Sequence, residues 1–187
     1  MTKGRLEAFS DGVFAVIITI MVLELKVPHG SDLDAFRPLL PAFLTYVLSY
    51  VFVGIYWNNH HHMMQVTDRI SGASMWANLH LLFWLSLVPF VTGWMGENHF
   101  AALPTAVYGV VLLMAGIAFL ILERQLLRAG NPRVAAAIGN DIKGKLSAVL
   151  YLTAIPLAFV HQAIADVIYV SVALMWLVPD RRIEKQL

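Results

Sequence analysis

Long apolar stretches alternate with short polar segments along the chain, at a spacing typical of membrane-spanning helices. A helix needs about 20 mostly apolar residues to cross the hydrocarbon core of a bilayer. Six stretches meet this requirement, and they cover about residues 5–25, 38–58, 71–95, 101–122, 145–161 and 163–180. The last two form a tight hairpin that turns near His161, and Pro156 lies inside the first of them. The segment from Glu123 to Lys145 is predicted to be the one sizeable polar loop, broken at Gly130-Asn131-Pro132.

Composition supports an all-α integral membrane protein. Of the 187 residues, 59% are hydrophobic and 13% are charged, whereas soluble domains carry roughly 25% charged residues. The chain offers no second hydrophilic region, so we expect a single domain over residues 1–187. The net charge of +1 gives no reason to expect a nucleic-acid partner. The absence of cysteine excludes disulfides and thiolate chemistry.

The distribution of basic residues predicts the orientation, because cytoplasmic loops carry an excess of lysine and arginine. One side of the predicted spans holds eleven basic residues, namely Lys3, Arg5, Arg69, Arg124, Arg128, Arg133, Lys143, Lys145, Arg181, Arg182 and Lys185. The other side holds Lys26 and Arg37. We therefore expect both termini in the cytoplasm and a multi-pass protein of the cell membrane.

The first span is unusually polar at its beginning. Arg5, Glu7, Ser10 and Asp11 lie in its cytoplasmic third. Ionisable groups inside a membrane are costly and almost always face protein or water. This helix should therefore be central in the bundle. Ser10 and Asp11 fit either a structural polar clamp, which we prefer, or a proton-carrying role.

An apolar stripe follows the polar groups on the same helix. At 100° per residue, Val16, Ile20 and Leu23 fall within a sector of about 60°. Gly12 and Thr19 flank this stripe. Such a stripe by itself is most often a packing surface, so its pattern leaves a pore-lining role open without indicating it.

The motif Arg5-x-x-x-Phe9-Ser10-Asp11, followed by Thr19 and the apolar stripe, resembles the first helix of the transmembrane protein 175 family. That family comprises lysosomal potassium channels and smaller prokaryotic relatives. The resemblance extends to positions in the next two spans, namely Trp57, His60, His61, Asn78, Pro89 and Phe90. The six-span layout matches the single-repeat prokaryotic members, and the second half of the chain matches in topology only.

The resemblance implies a homotetramer in a prokaryotic plasma membrane, with the first helix around a central pore. Val16 would form the narrowest constriction, Ile20 and Leu23 further apolar layers, and Thr19 a ring of hydroxyls near the potassium path. The polar network that holds this helix would comprise Arg5, Phe9, Ser10, Asp11, Trp57, His60, His61 and Asn78. The resemblance also implies potassium as the permeating ion, and no cofactor or bound metal is expected.

Potassium selectivity is expected to be modest. The chain lacks the TVGYG loop whose carbonyls select potassium in ordinary potassium channels. It also lacks the arginine repeat of a voltage sensor. The family more often has isoleucine or leucine at the position of Val16, so a smaller side chain here would widen the constriction.

Other functions remain open on the residues alone. A proton-coupled secondary transporter could use Asp11 and His80 as a relay, although such proteins usually show inverted repeats. The run His60-His61-His62 could bind a metal in a membrane enzyme, but adjacent residues of a helix face different directions and cannot all reach one ion. His80 as a haem ligand would need a second histidine at the same depth. The channel is our preferred interpretation.

Overall fold

The computed structural model describes residues 2–138 and 141–177, without the side chains of 136–138, and the secondary structure in these ranges is helical. The helices are α1 (Lys3–Leu23), α2 (Leu33–Phe36), α3 (Leu40–Gln65), α4 (Gly72–Ser86), α5 (Val88–Glu97), α6 (Ala102–Arg128), α7 (Pro132–Ile138), α8 (Ile142–Val160) and α9 (Gln162–Leu177). A 3₁₀ turn over Arg37–Leu39 joins α2 to α3. The all-α architecture is as predicted.

Five helical stretches of the described chain are long and apolar enough to cross a membrane. These are Lys3–Leu23, Leu33–Gln65, Gly72–Glu97, Ala102–Arg128 and Ile142–Val160. The apolar α9 has 16 residues and is shorter, so the predicted count of six spans depends on this helix. Residues 178–180 of the predicted sixth span, together with Arg181, Arg182 and Lys185, lie outside the described residues.

One predicted span is divided and one predicted loop was wrong. The third span is present as Gly72–Glu97, but it consists of two helices, because Pro89 has no backbone N–H and is found in the first turn of α5, where none is needed. The predicted polar loop after Leu122 is largely helical, since α6 continues to Arg128 through good helix formers and α7 follows. The break between them lies where Gly130-Asn131-Pro132 predicted it, and Gly130 has a φ of +85°.

The helix ends group into two ends of the bundle. At one end Lys3 Nζ donates to the Gln65 carbonyl oxygen at 3.2 Å, and Lys143 Nζ donates to the Met175 carbonyl oxygen at 3.2 Å. The described basic residues cluster here, at Lys3, Arg5, Arg69, Arg124, Arg128, Arg133, Lys143 and Lys145. We call this the basic end. Lys26 and Arg37 lie at the other end.

Asn131 fastens two loops together at the basic end. Its Oδ1 accepts hydrogen bonds from the backbone N–H groups of Asp68 and Arg69, both at 2.8 Å. Its Nδ2 donates to the carbonyl oxygens of Arg69 at 2.9 Å and Leu126 at 2.8 Å. One buried amide therefore uses both donors and both acceptor positions to join the α3–α4 loop to the end of α6.

Buried hydroxyl groups connect α3, α5 and α6 inside the bundle. The Thr92 hydroxyl lies 2.6 Å from Ser49 Oγ, which in turn lies 3.0 Å from Tyr108 Oη. All three side chains are buried. Because a membrane interior supplies no water, buried polar groups must find partners within the protein, and here they find one another.

Gly96 allows α5 to pass close to α3. A Cβ at this position would lie 2.6 Å from both Ala42 Cα and Thr45 Oγ1. We predict that Gly96→Ala forces the two backbones apart and costs about 1–3 kcal/mol of stability, measured as a lower thermal midpoint of the purified protein. Gly54→Ala is the control, since no atom lies within 4 Å of its Cβ position. Equal midpoints for the two variants would contradict the close contact.

Candidate functional site

Helix α1 has one buried face and one bare face. The buried side chains recur every three or four residues, at Leu6, Ser10, Phe14, Ile17 and Met21, and this face packs against α3, α4 and α5. On the opposite side Val16 is 54% exposed, Ile20 42% and Leu23 80%. The predicted stripe is thus left uncovered by its own protomer.

Thr19 lies on the bare face beside the stripe. Its Oγ1 lies 3.1 Å from the carbonyl oxygen of Ala15 and 2.9 Å from that of Val16. The hydroxyl proton is therefore used within the helix. The oxygen lone pairs remain free to point outward, which is the arrangement a cation requires of a hydroxyl ligand.

A chain of three buried polar side chains fastens α1 to α3 and α4. Asn78 Nδ2 donates to Ser10 Oγ at 3.0 Å, and Asn78 Oδ1 lies 2.8 Å from His60 Nε2, which donates to it. Ser10 Oγ donates in turn to the Leu6 carbonyl oxygen at 2.9 Å. We call Ser10, Asn78 and His60 the buried triad. Each member is fully buried, so each depends on the others for its hydrogen bonds.

A second, more exposed set of contacts joins α1 to α3. Trp57 Nε1 donates to Asp11 Oδ1 at 3.0 Å. The Trp57 ring stacks on His61 with centroids 5.8 Å apart and an interplanar angle of 16°. His61 Nδ1 lies 3.2 Å from Glu7 Oε1, and His61 Nε2 lies 2.8 Å from Gln65 Nε2. A neutral imidazole that donates to Glu7 and accepts from Gln65 satisfies both contacts.

Arg5 and Phe9 lie away from these polar contacts, contrary to the predicted network. Arg5 is exposed and has no hydrogen bond or ion pair within the part of the chain that the structure describes. Phe9 is half-exposed. Phe9 is exposed because it precedes Val16 by seven residues, or nearly two helical turns, and so lies on the same side of α1. It therefore belongs to the bare face of α1.

The two residues of the alternative proton relay have separate partners. Asp11 accepts from Trp57, whereas His80 Nε2 accepts from Trp84 Nε1 at 2.9 Å on its own helix. The adjacent histidines of α3 also diverge, since His60 bonds to Asn78 and His61 faces Glu7. The structure therefore brings together neither the relay nor a histidine cluster.

An ion pair holds the other end of α1. Lys26 Nζ lies 2.6 Å from Oε1 of Glu97, the last residue of α5. The hydrogen bond and the charge of Glu97 raise the pKa of Lys26 above its usual 10.5. A raised lysine pKa stabilises the folded state at pH values below the unfolded pKa, and this contribution is lost as the pH rises through the folded pKa.

We therefore predict a small, salt-sensitive effect of Lys26→Met. Its thermal midpoint should lie below that of the parent protein at pH 8 and low salt, because the exposed ion pair is lost. The two midpoints should converge as the pH rises well above 10.5, where Lys26 itself loses its charge. A difference that persists unchanged at high pH would show that the methylene stem, and not the ion pair, is responsible.

Three polar residues of this site, Glu7, Lys26 and Glu97, were not part of the predicted polar network. Glu7 precedes Asp11 by four residues, so the shared helix face was a usable signal. The pairing of Lys26 with Glu97 joins positions far apart in the chain, and no local pattern indicates it.

A groove runs along the bare face of α1, between this helix and α5. Its lining includes Phe9, Val16 and Ile20 from α1 and Phe90 and Trp94 from α5. Glu24 and Glu97 lie along the same groove. The bare stripe therefore continues into a larger apolar surface that ends at acidic groups.

Comparison with known proteins gives consistent findings. A family model described as the endosomal/lysosomal potassium channel TMEM175 matches residues 5–89. A potassium channel of Chryseobacterium sp. (strain P1-3) is 53% identical over 189 residues, which cover 100% of this chain and 98% of that protein. A potassium channel of Streptomyces collinus is 37% identical over 174 residues, covering 84% and 83%. The fold resembles the crystal structure of a lysosomal potassium-selective channel TMEM175 homologue from Chamaesiphon minutus, with a TM-score of 0.77, 28% identity and coverage of 96% and 97%.

Proposed function

The chain belongs to the TMEM175 family of potassium channels, and from that premise we propose that it is the subunit of a homotetrameric, potassium-selective channel whose pore is lined by α1. The tetramer would lie in a prokaryotic plasma membrane with six spans per subunit, α9 being the sixth. Its basic end would face the cytoplasm, as the excess of lysine and arginine favours. Potassium would be the permeating ion, with no cofactor.

The bare face of α1 is the observation that carries this proposal. A helix with buried polar groups on one side is fixed centrally, yet its opposite side shows Val16, Ile20 and Leu23 to the surroundings. In a ring of subunits this side would face the common axis. Exposed apolar side chains alone would also fit contact with lipid, as at Val167, but the ionisable and polar groups of α1 favour a central position for this helix. The groove between α1 and α5 would receive a neighbouring subunit.

The pore would act through side chains. Four Val16 side chains would form an apolar constriction that excludes water until the helices separate, which is how hydrophobic gates work. One turn away, the Thr19 oxygens would replace part of the hydration shell of the ion. Hydroxyl ligands on a helix are less fixed in position than a carbonyl filter, so selectivity for potassium over sodium would be modest.

The proposal is tested with the purified protein in planar bilayers under a potassium/sodium gradient. We predict a reversal potential shifted toward potassium, and a smaller shift for Thr19→Val, which removes the hydroxyl and keeps the side-chain shape. The matched control is Thr153→Val. Thr153 is an exposed threonine of α8 whose hydroxyl likewise donates to the carbonyl oxygen four residues earlier, at 2.8 Å.

Thr153→Val should leave the reversal potential unchanged. Equal potassium and sodium permeability in the parent protein would contradict a potassium-selective channel. An unchanged reversal potential in Thr19→Val would show that the Thr19 hydroxyl does not determine selectivity.

A further inference from the structure

A narrow cavity opens at the basic end of the bundle, away from α1. It lies between α3, α6 and α8, and it extends inward from Glu123 and Asp141 to Leu113 and Tyr151. Ten residues of helix separate Leu113 from Glu123, so the residues that line the cavity are spread over about 15 Å of α6. No residue of α1 lines it, and it is therefore separate from the proposed pore.

The interior of the cavity is aromatic and apolar. Tyr56, Phe119, Tyr151 and Trp176 contribute to its walls. The cavity volume is about 70 Å³, roughly the space of two or three water-sized groups, and half of the roughly 150 Å³ that holds a benzene ring. So small a volume holds a single unbranched alkyl chain of about four carbons and excludes a ring.

The mouth of the cavity is acidic. Glu123 is half-buried, and among the described residues its carboxylate makes no hydrogen bond or ion pair. Asp141 lies beside it and accepts a hydrogen bond from the Gly144 N–H at 2.9 Å. A carboxylate without a partner at the edge of an apolar, aromatic cavity favours a cationic ligand.

Basic groups near the mouth do not neutralise this arrangement within the described contacts. Arg124 follows Glu123 in the chain, but no ion pair joins the two. Lys143 Nζ lies 5.8 Å from the centroid of the Trp176 ring and donates to the Met175 carbonyl oxygen. This contact shows that an ammonium group reaches the indole at the rim, as a ligand headgroup would.

We propose that this cavity binds an amphiphilic organic cation, with an ammonium or trimethylammonium head at Glu123 and Asp141 and one unbranched alkyl chain between α3, α6 and α8. The source is either a soluble amine or a single-chain lipid with a choline head, since both present this chemistry. The inference does not depend on ion conduction.

The test is a ligand-observed NMR titration of the full chain in neutral detergent, with empty micelles subtracted. The probes are alkyltrimethylammonium ions with tails of one to six carbons, butanol as the neutral probe and butanesulfonate as the anionic probe. Affinity for the cations should rise roughly fourfold per methylene up to about four carbons and then level off. Butanesulfonate should not bind, and butanol should bind more weakly than butyltrimethylammonium.

Two variants test whether the probes bind in this cavity. Gly116→Ala places a methyl group in the cavity, where its Cβ would lie 3.6 Å from Tyr56 Oη, an ordinary contact distance. This variant should therefore fold, and it should bind both the cation and the alcohol more weakly. Its control is Gly54→Ala, which adds the same methyl group to a helix where no atom lies within 4 Å. Glu123→Gln should lower the affinity for the cation roughly threefold to fivefold and leave the affinity for the alcohol unchanged.

The outcomes are decisive in each direction. No binding of the butyl cation, equal binding of cation and sulfonate, or binding that Gly116→Ala leaves unchanged would each overturn the proposal. Competition by a lysophosphatidylcholine with a four-carbon acyl chain, but not by the matching lysophosphatidylglycerol, would identify a choline lipid as the source. Absence of this competition, with the cation still bound, would identify a soluble amine.

Discussion

Replacing Val16 with alanine should raise the resting potassium current of the reconstituted protein by about tenfold or more. Each methylene-sized group removed lowers the cost of wetting an apolar surface by about 0.8 kcal/mol, and alanine removes two such groups from each subunit. If four subunits share the constriction and only a quarter of this change acts on the closed gate, the barrier falls by more than the 1.4 kcal/mol that corresponds to a factor of ten. The potassium-to-sodium permeability ratio should also fall, because the same side chains would form the constriction.

The measurement is the single-channel open probability and the potassium-to-sodium permeability ratio in planar bilayers. Val167→Ala is the matched control, because Val167 is a valine of α9 that is 65% exposed and would face lipid. It should behave like the parent protein. A Val16→Ala current equal to that of Val167→Ala would place the constriction elsewhere.

Asn78→Ala should be the most damaging substitution in the buried triad. It leaves the His60 N–H without an acceptor and removes the donor to Ser10 in a region that water does not reach. An unsatisfied buried donor costs about 1–3 kcal/mol, and the lost side-chain volume adds to this. We expect a loss of about 2–4 kcal/mol and a thermal midpoint lower by about 5–15 °C.

A double-mutant cycle with Ser10→Ala separates the triad from general loss of packing. Ser10→Ala alone should cost less, because Asn78 keeps its bond to His60. The double variant should lose clearly less than the two single losses taken together, since the two side chains share a hydrogen bond. Asn59→Ala serves as the control, because the Asn59 Nδ2 donates within its own helix to Ile55. Additive losses would show that Ser10 and Asn78 act separately.

The sequence predicted the class of the molecule because the signals for it are local. Hydropathy located the long helices, and α1 ends within two residues of the predicted boundary. The motif around Phe9-Ser10-Asp11 led to the family, which the relatives confirm. They also confirm that the chain belongs with potassium channels and not with enzymes.

The mistakes and omissions have physical causes. The division of α4 from α5 had a local signal in Pro89, which the apolar run around it concealed. The helical continuation of α6 beyond Leu122 was missed because a decline in hydropathy marks the end of the membrane and not the end of a helix. The role of Asn131 depends on backbone groups about 60 residues earlier in the chain, and composition or periodicity carries no information about such contacts.

The polar residues of the site were predicted as a set, but their pairing was not. Ser10, Asn78 and His60 separate from Asp11, Trp57 and His61 because Ser10 lies on the buried face of α1 and Asp11 lies at its edge. This division follows from the rotation of α1 against α3 and α4, which only the packed structure fixes. The roles of these residues in conduction stay predictions.

The hairpin of α8 and α9 turns at His161 with a single non-helical residue between the helices. The 19 residues of α8 extend about 28 Å, slightly less than the roughly 30 Å hydrocarbon thickness of a typical bilayer, while the 27 residues of α6 extend about 40 Å. The long α6 lies beside the shorter α8–α9 hairpin, and in a bilayer this difference would give a hydrophobic mismatch on that flank. A helix shorter than the hydrocarbon thickness is matched when the bilayer thins around it, so we expect lipids with shorter acyl chains to stabilise this hairpin.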